Sequence, residues 1–100
     1  MQLKQHYQDI LPILRLMARS HGYALALHGS GQRDLDLVAV PWTEEAKSAE
    51  ALVEALAFCI HAQAEQPPTE KPHGRRTWVI QLGGGLYLDL SVLPRQPVAE

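Results

Sequence analysis

The chain has 100 residues, of which 46% are hydrophobic and 20% are charged, and its formal net charge is −2. This length fits one domain over residues 1–100, so we do not expect an enzyme with separate catalytic and acceptor-binding domains. The net charge argues against a general nucleic-acid coat, whose affinity depends on many Lys and Arg contacts to phosphate.

The first part of the chain predicts a helix followed by two strands. Apolar residues recur at helical spacing over 9–20, where Asp9 is the expected N-cap and Pro12 is placed in the first turn. Tyr23–Leu27 is a short apolar run that predicts a buried strand. Alternation over 34–40 predicts a second strand.

A second helix is expected to follow these strands. Thr43 is its predicted N-cap, with Glu44 and Glu45 in the first turn at the positive end of the helix dipole. Its apolar residues have the i, i+3, i+4 spacing of a helix face that packs on a sheet. That stripe consists of Ala49, Leu52, Val53, Leu56 and Ile60.

The last part of the chain predicts a loop and two further strands. Residues 65–74 contain three prolines and predict the loop. Strands are expected at 76–82 and 86–92, joined at 83–85 by three glycines that permit a tight hairpin. We expect a flexible tail over 95–100. The order α-β-β-α-β-β predicts an α+β fold, with one sheet and helices against it.

Cysteine content and hydropathy indicate the cellular compartment of such a protein. Cys59 is the single cysteine, and its place in an apolar helical pattern predicts a packed thiol. The longest mainly apolar stretch, Tyr23–Leu27, is far shorter than the roughly 20 residues that cross a bilayer. We therefore expect a soluble, cytoplasmic protein with no membrane partner.

Two acids stand two residues apart in the second predicted strand. Alternation places Asp34 and Asp36 on one face and Leu35 and Leu37 on the other. Two carboxylates this close repel each other unless a cation lies between them. Such hard oxygen ligands suit Mg²⁺ or Mn²⁺. The alternative is a half-solvated strand whose polar face is acidic without binding a metal.

A third acid, Asp89, lies between leucines in the middle of the last predicted strand. A charge in that position is costly unless it is paired or bound to a metal. If the two acidic strands are neighbours, the three carboxylates converge on one metal site. The alternative is a structural ion pair between Asp89 and Arg75 or Arg76.

A glycine-serine turn, Gly29-Ser30, follows the first predicted strand. Glycine lets a backbone approach a phosphate closely, and the Ser30 hydroxyl adds a donor beside exposed amides. Gly-Ser pairs occur in many turns, so this pair indicates a phosphate site only because it lies just before the two acids.

Basic residues cluster between Lys71 and Arg76, and a further arginine, Arg33, precedes the acids. The planar guanidinium suits phosphate oxygens, so we consider Arg33, Arg75 and Arg76 as phosphate ligands. His73 belongs to the same predicted loop and is a further candidate. The alternative is a solvated loop in which Arg76 pairs with an acid of a strand, while Arg33 only neutralises the acid pair.

The chain resembles the polymerase-beta-type nucleotidyltransferase superfamily in its Gly-Ser turn, its acid-x-acid strand and its later third acid. More closely, it looks like small phage or prophage nucleotidyltransferase-like proteins, which implies the cytoplasm of a bacterial host. The likeness extends from the first predicted helix to Pro94. The segments that carry it are Tyr23–Ser30, Arg33–Trp42 and Leu88–Ser91.

The resemblance implies a minimal nucleotidyltransferase core, with a mixed four-stranded sheet and two helices packed against it. In such a protein Gly29 and Ser30 would hold the triphosphate of an NTP. Asp34 and Asp36 would bind the divalent metals, and Asp89 would help to activate the hydroxyl of the acceptor. The acceptor itself, a protein, an RNA or a small molecule, is not identified by this resemblance.

Two functions are open at this point. One is metal-dependent transfer of a nucleotidyl group from an NTP to an unknown hydroxyl. The other is a non-catalytic module that binds a nucleotide or a protein on the same fold. The short segment 31–33 between the Gly-Ser turn and the acids favours the second, because the superfamily has a longer segment there. An exposed strand edge in so small a sheet also suits a homodimer or a partner protein.

Overall fold

The computed structural model describes residues 4–29, 31 and 33–95. Two helices, α1 (Gln5–Ser20) and α2 (Ala49–Cys59), pack against one face of a six-stranded mixed sheet. Within the described residues, neither helix is long and apolar enough to cross a membrane. The strands are β1 (Tyr23–His28), β2 (Leu35–Pro41), β3 (Gln63–Ala64), β4 (Thr69–Glu70), β5 (Arg76–Gly83) and β6 (Leu86–Val92).

The strands lie in the order β1-β2-β6-β5-β3, and β4 also pairs with β5. β2 and β6 are parallel, whereas the other neighbours are antiparallel. The predicted α+β class with two helices is confirmed, but the predicted count of four strands is wrong. The short strand β3 lies just before the segment predicted as a loop, and the short strand β4 lies within it. They form because they pair backbone groups along the outer edge of β5.

The hydrophobic core lies between the helices and one face of the sheet. Alternation along β2, β5 and β6 sends every second side chain to that face. The opposite face, where neither helix packs, carries partly buried polar residues such as Asp36 and Ser91. The largest strand side chains in the core are Tyr23, Leu35, Leu37, Trp78, Ile80, Leu88 and Leu90.

Helix α1 begins earlier than predicted, with Lys4 as its N-cap residue. The prediction that Asp9 caps the helix is wrong, and its side chain instead accepts a hydrogen bond from Gln5 Nε2 at 2.8 Å. Pro12 lies inside the helix, not in its first turn. The extra turn forms because it extends the buried stripe at helical spacing. That stripe consists of Tyr7, Leu11, Leu14 and Ala18.

Helix α2 begins later than predicted, so the N-cap predicted at Thr43 is wrong. Its N-cap is Ser48, whose hydroxyl accepts a hydrogen bond from the Ala51 N–H at 3.1 Å. Residues 44–45 lie in a turn before the helix. The predicted apolar face is confirmed in its central residues, which are Leu52, Val53 and Leu56.

Strand β1 differs from its prediction as a buried strand, because only Tyr23 of its residues is buried. It is an edge strand, and nothing in the described part of the chain pairs with its outer side. The predicted hairpin between β5 and β6 is confirmed, with all three glycines of 83–85 at positive φ. Of the predicted flexible tail, residues 96–100 lie outside the described residues.

Candidate metal and phosphate site

Three aspartates meet on the sheet face that the helices leave open. β2 and β6 are parallel neighbours, and their register places Asp36 opposite Asp89. Asp34 lies two residues before Asp36, at the bend that leads into β2. One carboxylate oxygen from each of the three residues lies within 4.8 Å of the others. The structure thus brings together the three acids that the sequence singled out.

The chemistry of these donors suits a divalent cation. Asp89 Oδ1 is buried and has no hydrogen-bond partner in the described part of the chain. A buried oxygen without a partner has lone pairs left for a ligand. Carboxylate oxygens are also the ligands that hard cations prefer. The cluster of three aspartates could therefore hold a metal ion.

Burial and mutual repulsion change the acidity of this cluster. Burial first, and then the hydrogen bond and charge of Asp34, raise the pKa of Asp36 to about 6. The pKa of Asp89 is raised mainly by burial and next by the charge of Asp34. Lys71 and Arg75 act on Asp89 in the opposite direction. A bound cation would relieve the same repulsion.

Gly29 borders the acid cluster. β1 pairs His28 with Asp36, so the turn after β1 reaches the acids directly. Gly29 has a φ of +76°, and a Cβ at this position would lie 3.0 Å from Asp36 Oδ2. Both the backbone conformation and the close approach therefore favour glycine here. The neighbouring predicted ligand, Ser30, lies outside the described residues.

A cavity of about 340 Å³ opens beside the acids. Lys71 and Arg75 line it, and the Lys71 N–H donates to the Arg75 carbonyl at 2.8 Å, which closes the loop that carries both. The hydroxyls of Thr77 and Ser91 also line it and lie 3.2 Å apart. Cationic and hydroxyl donors next to carboxylates suit a phosphate that arrives with a metal ion. The other lining residues are His28, Asp36, Leu37, Val38 and Asp89.

Tyr7 connects α1 to both acidic strands. Its side chain is fully buried, and its hydroxyl donates to the Arg33 carbonyl at 2.6 Å and accepts from the Tyr87 N–H at 3.3 Å. Arg33 immediately precedes Asp34, and Tyr87 lies two residues before Asp89. Sequence reasoning overlooked Tyr7. The available signal was its helical spacing from the buried stripe of α1.

Arg76 lies away from the acids, although it was predicted as a phosphate ligand. It forms an ion pair with Glu50 of α2, and its guanidinium carbon lies 5.1 Å from the centroid of the Trp78 ring. Alternate residues of β5 face opposite sides, so Arg76 shares the helix side with Trp78. The structural alternative required an ion pair between Asp89 and Arg75 or Arg76. Within the described residues, no such ion pair forms.

The other predicted phosphate ligands are divided in the same way. Arg75 lines the cavity, whereas the side chains of Arg33 and His73 are exposed and do not line it. His73 lies in the short 3₁₀ turn Pro72–Gly74 with a φ of 65°. Lys71, which the sequence presented only as one member of the basic cluster, is brought to the cavity instead.

No family model, curated protein or solved structure matches this chain. The functional argument therefore depends on the site, in which a cluster of three carboxylates borders a cavity that two cationic side chains and a pair of hydroxyls line. Such a set of groups can bind a divalent cation together with an anionic ligand.

Proposed function

We propose that this protein is a minimal, metal-dependent nucleotidyltransferase-like protein, which transfers a nucleotidyl group from an NTP to a hydroxyl acceptor. The observation that carries this proposal is the cluster of three aspartates, with Asp36 and Asp89 on neighbouring parallel strands and Asp34 just before the first, beside a cavity that Lys71 and Arg75 line. The resemblance of the Gly-Ser turn and the three acids to nucleotidyltransferases supports the same chemistry.

Each group at the cavity has a role in this proposal. Asp34, Asp36 and Asp89 would hold Mg²⁺ or Mn²⁺. Such cations, when bound, neutralise phosphate charge and keep the attacking and leaving oxygens in line. Lys71 and Arg75 would contact phosphate oxygens as charge-assisted donors.

The transfer also requires a base. A bond forms between the acceptor oxygen and the α-phosphorus, and the bond from that phosphorus to the bridging oxygen breaks, which releases pyrophosphate. The acceptor hydroxyl must lose its proton as this bond forms. Asp89 would take this proton, because its buried Oδ1 has no hydrogen-bond partner in the described part of the chain.

A non-catalytic module that binds a nucleotide or a protein on the same fold is the second candidate. The observation that favours it is the short segment 31–33 between Gly29-Ser30 and Asp34. A phosphate cradle needs several converging backbone amides, and a short turn offers few of them. Such a module would bind in the same cavity without releasing pyrophosphate.

Thermal unfolding tests the metal and nucleotide site. MgCl₂ or MnCl₂ should raise the Tm, and an added NTP should raise it further, because each ligand binds the folded state. The double variant Asp34→Asn, Asp36→Asn should lose both shifts. The matched variant Glu44→Gln, Glu45→Gln removes the same charge from exposed positions and should keep them. If neither cation changes the Tm of the wild-type protein, the proposed metal site is contradicted.

Label transfer separates catalysis from binding. NTPs labelled at the α-phosphate are incubated with the protein, a divalent cation and protein, RNA or small-molecule fractions. Incorporation of label with release of pyrophosphate, lost in the double Asp variant, supports transfer. Nucleotide-dependent stabilisation without incorporation supports the binding module. Identical incorporation by wild type and the double variant rules out catalysis by these acids.

A further inference from the structure

The outer edge of β1 offers unpaired backbone groups. The Trp42 N–H donates to the Gly22 carbonyl at 3.0 Å, and the antiparallel register of β1 and β2 continues from this pair. In such a ladder, hydrogen-bonded and non-hydrogen-bonded pairs alternate. The residues of β1 whose N–H and C=O groups point away from β2 are therefore Tyr23, Leu25 and Leu27.

Nothing in β1 blocks this edge. Natural proteins protect edge strands with charges, prolines or bulges. The segment Tyr23–Leu27 contains no charged residue and no proline, and its pairing with β2 has a continuous register. An extended peptide can therefore add to β1 as a further strand.

A groove of about 510 Å³ lies between this edge and α1. Leu16 and Trp42 line it with exposures of 63% and 62%, and the half-buried Leu25 of β1 lines it as well. Arg15 and Arg19 complete it, one helical turn apart. In the described part of the chain, neither guanidinium has a carboxylate partner. Like charges at this spacing repel each other, so an anionic occupant would stabilise both.

We propose that the β1 edge and this groove form a docking site for an extended, acidic segment of a partner protein. The segment would pair with the backbone of β1 and place apolar side chains against Leu16 and Leu25. Its carboxylates would pair with Arg15 and Arg19. This site is independent of the proposed function, because it lies on the helix side of the sheet and the acid cluster lies on the other.

Charge and backbone chemistry distinguish this occupant from two others. A second copy, paired antiparallel through β1, would bring Arg15 and Arg19 near their own equivalents, which repel. Among the described residues, the groove offers a nucleic acid two guanidiniums, and a nucleic acid would leave the strand edge unpaired. An acidic peptide satisfies both the cations and the edge.

The probe is a labelled peptide of about ten residues with Thr at every second position and with Val and Glu in turn at the positions between, so that Val and Glu share the strand face toward the groove. Fluorescence anisotropy should show saturable binding. A peptide with Lys in place of Glu should bind about tenfold more weakly, because it loses the charge pairs. The Glu peptide N-methylated at alternate residues should weaken to a similar degree, because it cannot pair with β1. An absence of binding by the Glu peptide overturns the proposal.

Protein variants locate the binding. Arg15→Gln, Arg19→Gln should lose about tenfold in affinity, and Lys47→Gln, which removes an exposed charge outside the groove, should not. The exposed Trp42 should shift its emission to the blue when peptide binds, and Trp42→Phe should lose this signal. An oligouridylate that binds as tightly as the Glu peptide, or a stable dimer that excludes the peptide, contradicts the proposal.

Discussion

The environment of Asp36 disfavours the ionised form of its side chain. Its pKa of about 6 in the folded protein compares with 3.8 as its ordinary value, and burial is the main cause. The pKa of Asp89 is shifted in the same direction. The folded protein therefore binds protons at this cluster more tightly than the unfolded chain does. Without a cation, the cluster stabilises the fold only while it is protonated.

This raised pKa predicts a pH dependence of the metal-free protein. The stabilisation from Asp36 is fully present below pH 3.8 and is lost as the pH rises through about 6. Asn resembles the protonated acid and does not titrate. Asp36→Asn should therefore match wild type near pH 4 and exceed its free energy of unfolding above pH 6, by on the order of 1 to 3 kcal/mol.

Denaturant unfolding in the presence of EDTA, from pH 4 to pH 8, measures this difference. Glu45→Gln removes a carboxylate from an exposed position outside the cluster and serves as the control for the loss of one negative charge. If the difference in free energy of unfolding between Asp36→Asn and wild type is the same at every pH, ionisation of Asp36 does not destabilise the fold as predicted.

At the scale of elements, α1 contacts both acidic strands through Tyr7. The hydroxyl of this buried residue joins the backbone before β2 to the start of β6. These are the two strands whose alignment places Asp36 opposite Asp89. A helix that contributes no acid thus helps to fix the distance between the acids.

Tyr7→Phe should lower the free energy of unfolding by about 1 to 3 kcal/mol, because it removes the hydrogen bonds to the part-buried backbone groups of Arg33 and Tyr87. It should also weaken the binding of Mn²⁺, since the acidic strands lose a common anchor. Tyr23→Phe is the matched control: its hydroxyl donates to the Lys47 carbonyl at 2.7 Å, far from the acids. Chemical unfolding and Mn²⁺ titration measure both effects. Equal Mn²⁺ affinities of the two variants would show that the Tyr7 hydroxyl does not help to position the acids.

The starts of the helices show why periodicity predicts elements better than their limits. The apolar stripe of α2 was correctly predicted, because helical spacing is a local property. Its N-cap was not, since both Thr43 and Ser48 are residue types that can cap a helix. The buried Ala46 packs against the turn at Gly22, where a Cβ would lie 2.6 Å from the Ala46 Cα. This long-range contact occupies the segment that would otherwise be the first turn of the helix.

At the scale of the whole molecule, both helices and the four long strands share one continuous core. Trp78 is 1% exposed within that core, whereas Trp42 is 62% exposed at the surface. We predict that the Trp42→Phe variant unfolds in one step, with Trp78 fluorescence and far-UV circular dichroism changing together. The physical reason is that, over the part of the chain that the structure describes, no element has a separate core with which to unfold independently. Transitions at different denaturant concentrations would contradict this prediction.

The sequence by itself determined which side chains share a face. Asp34 and Asp36 alternate with Leu35 and Leu37, and a strand sends successive side chains to opposite sides wherever it lies. The same local rule separated Asp89 from the leucines around it. The candidate acids could therefore be identified without any knowledge of the sheet.

Only the tertiary structure decided that these acids form a site. β6 lies beside β2 although a helix and three strands separate them in the chain, and one register places Asp36 opposite Asp89. A slip of one residue would turn Asp89 toward the helices. The basic cluster was likewise divided by strand pairing, which left Lys71 and Arg75 at the cavity and Arg76 with Glu50 on the other side. Pairing between distant strands depends on the packing of the whole core, and residue spacing along the chain does not encode it.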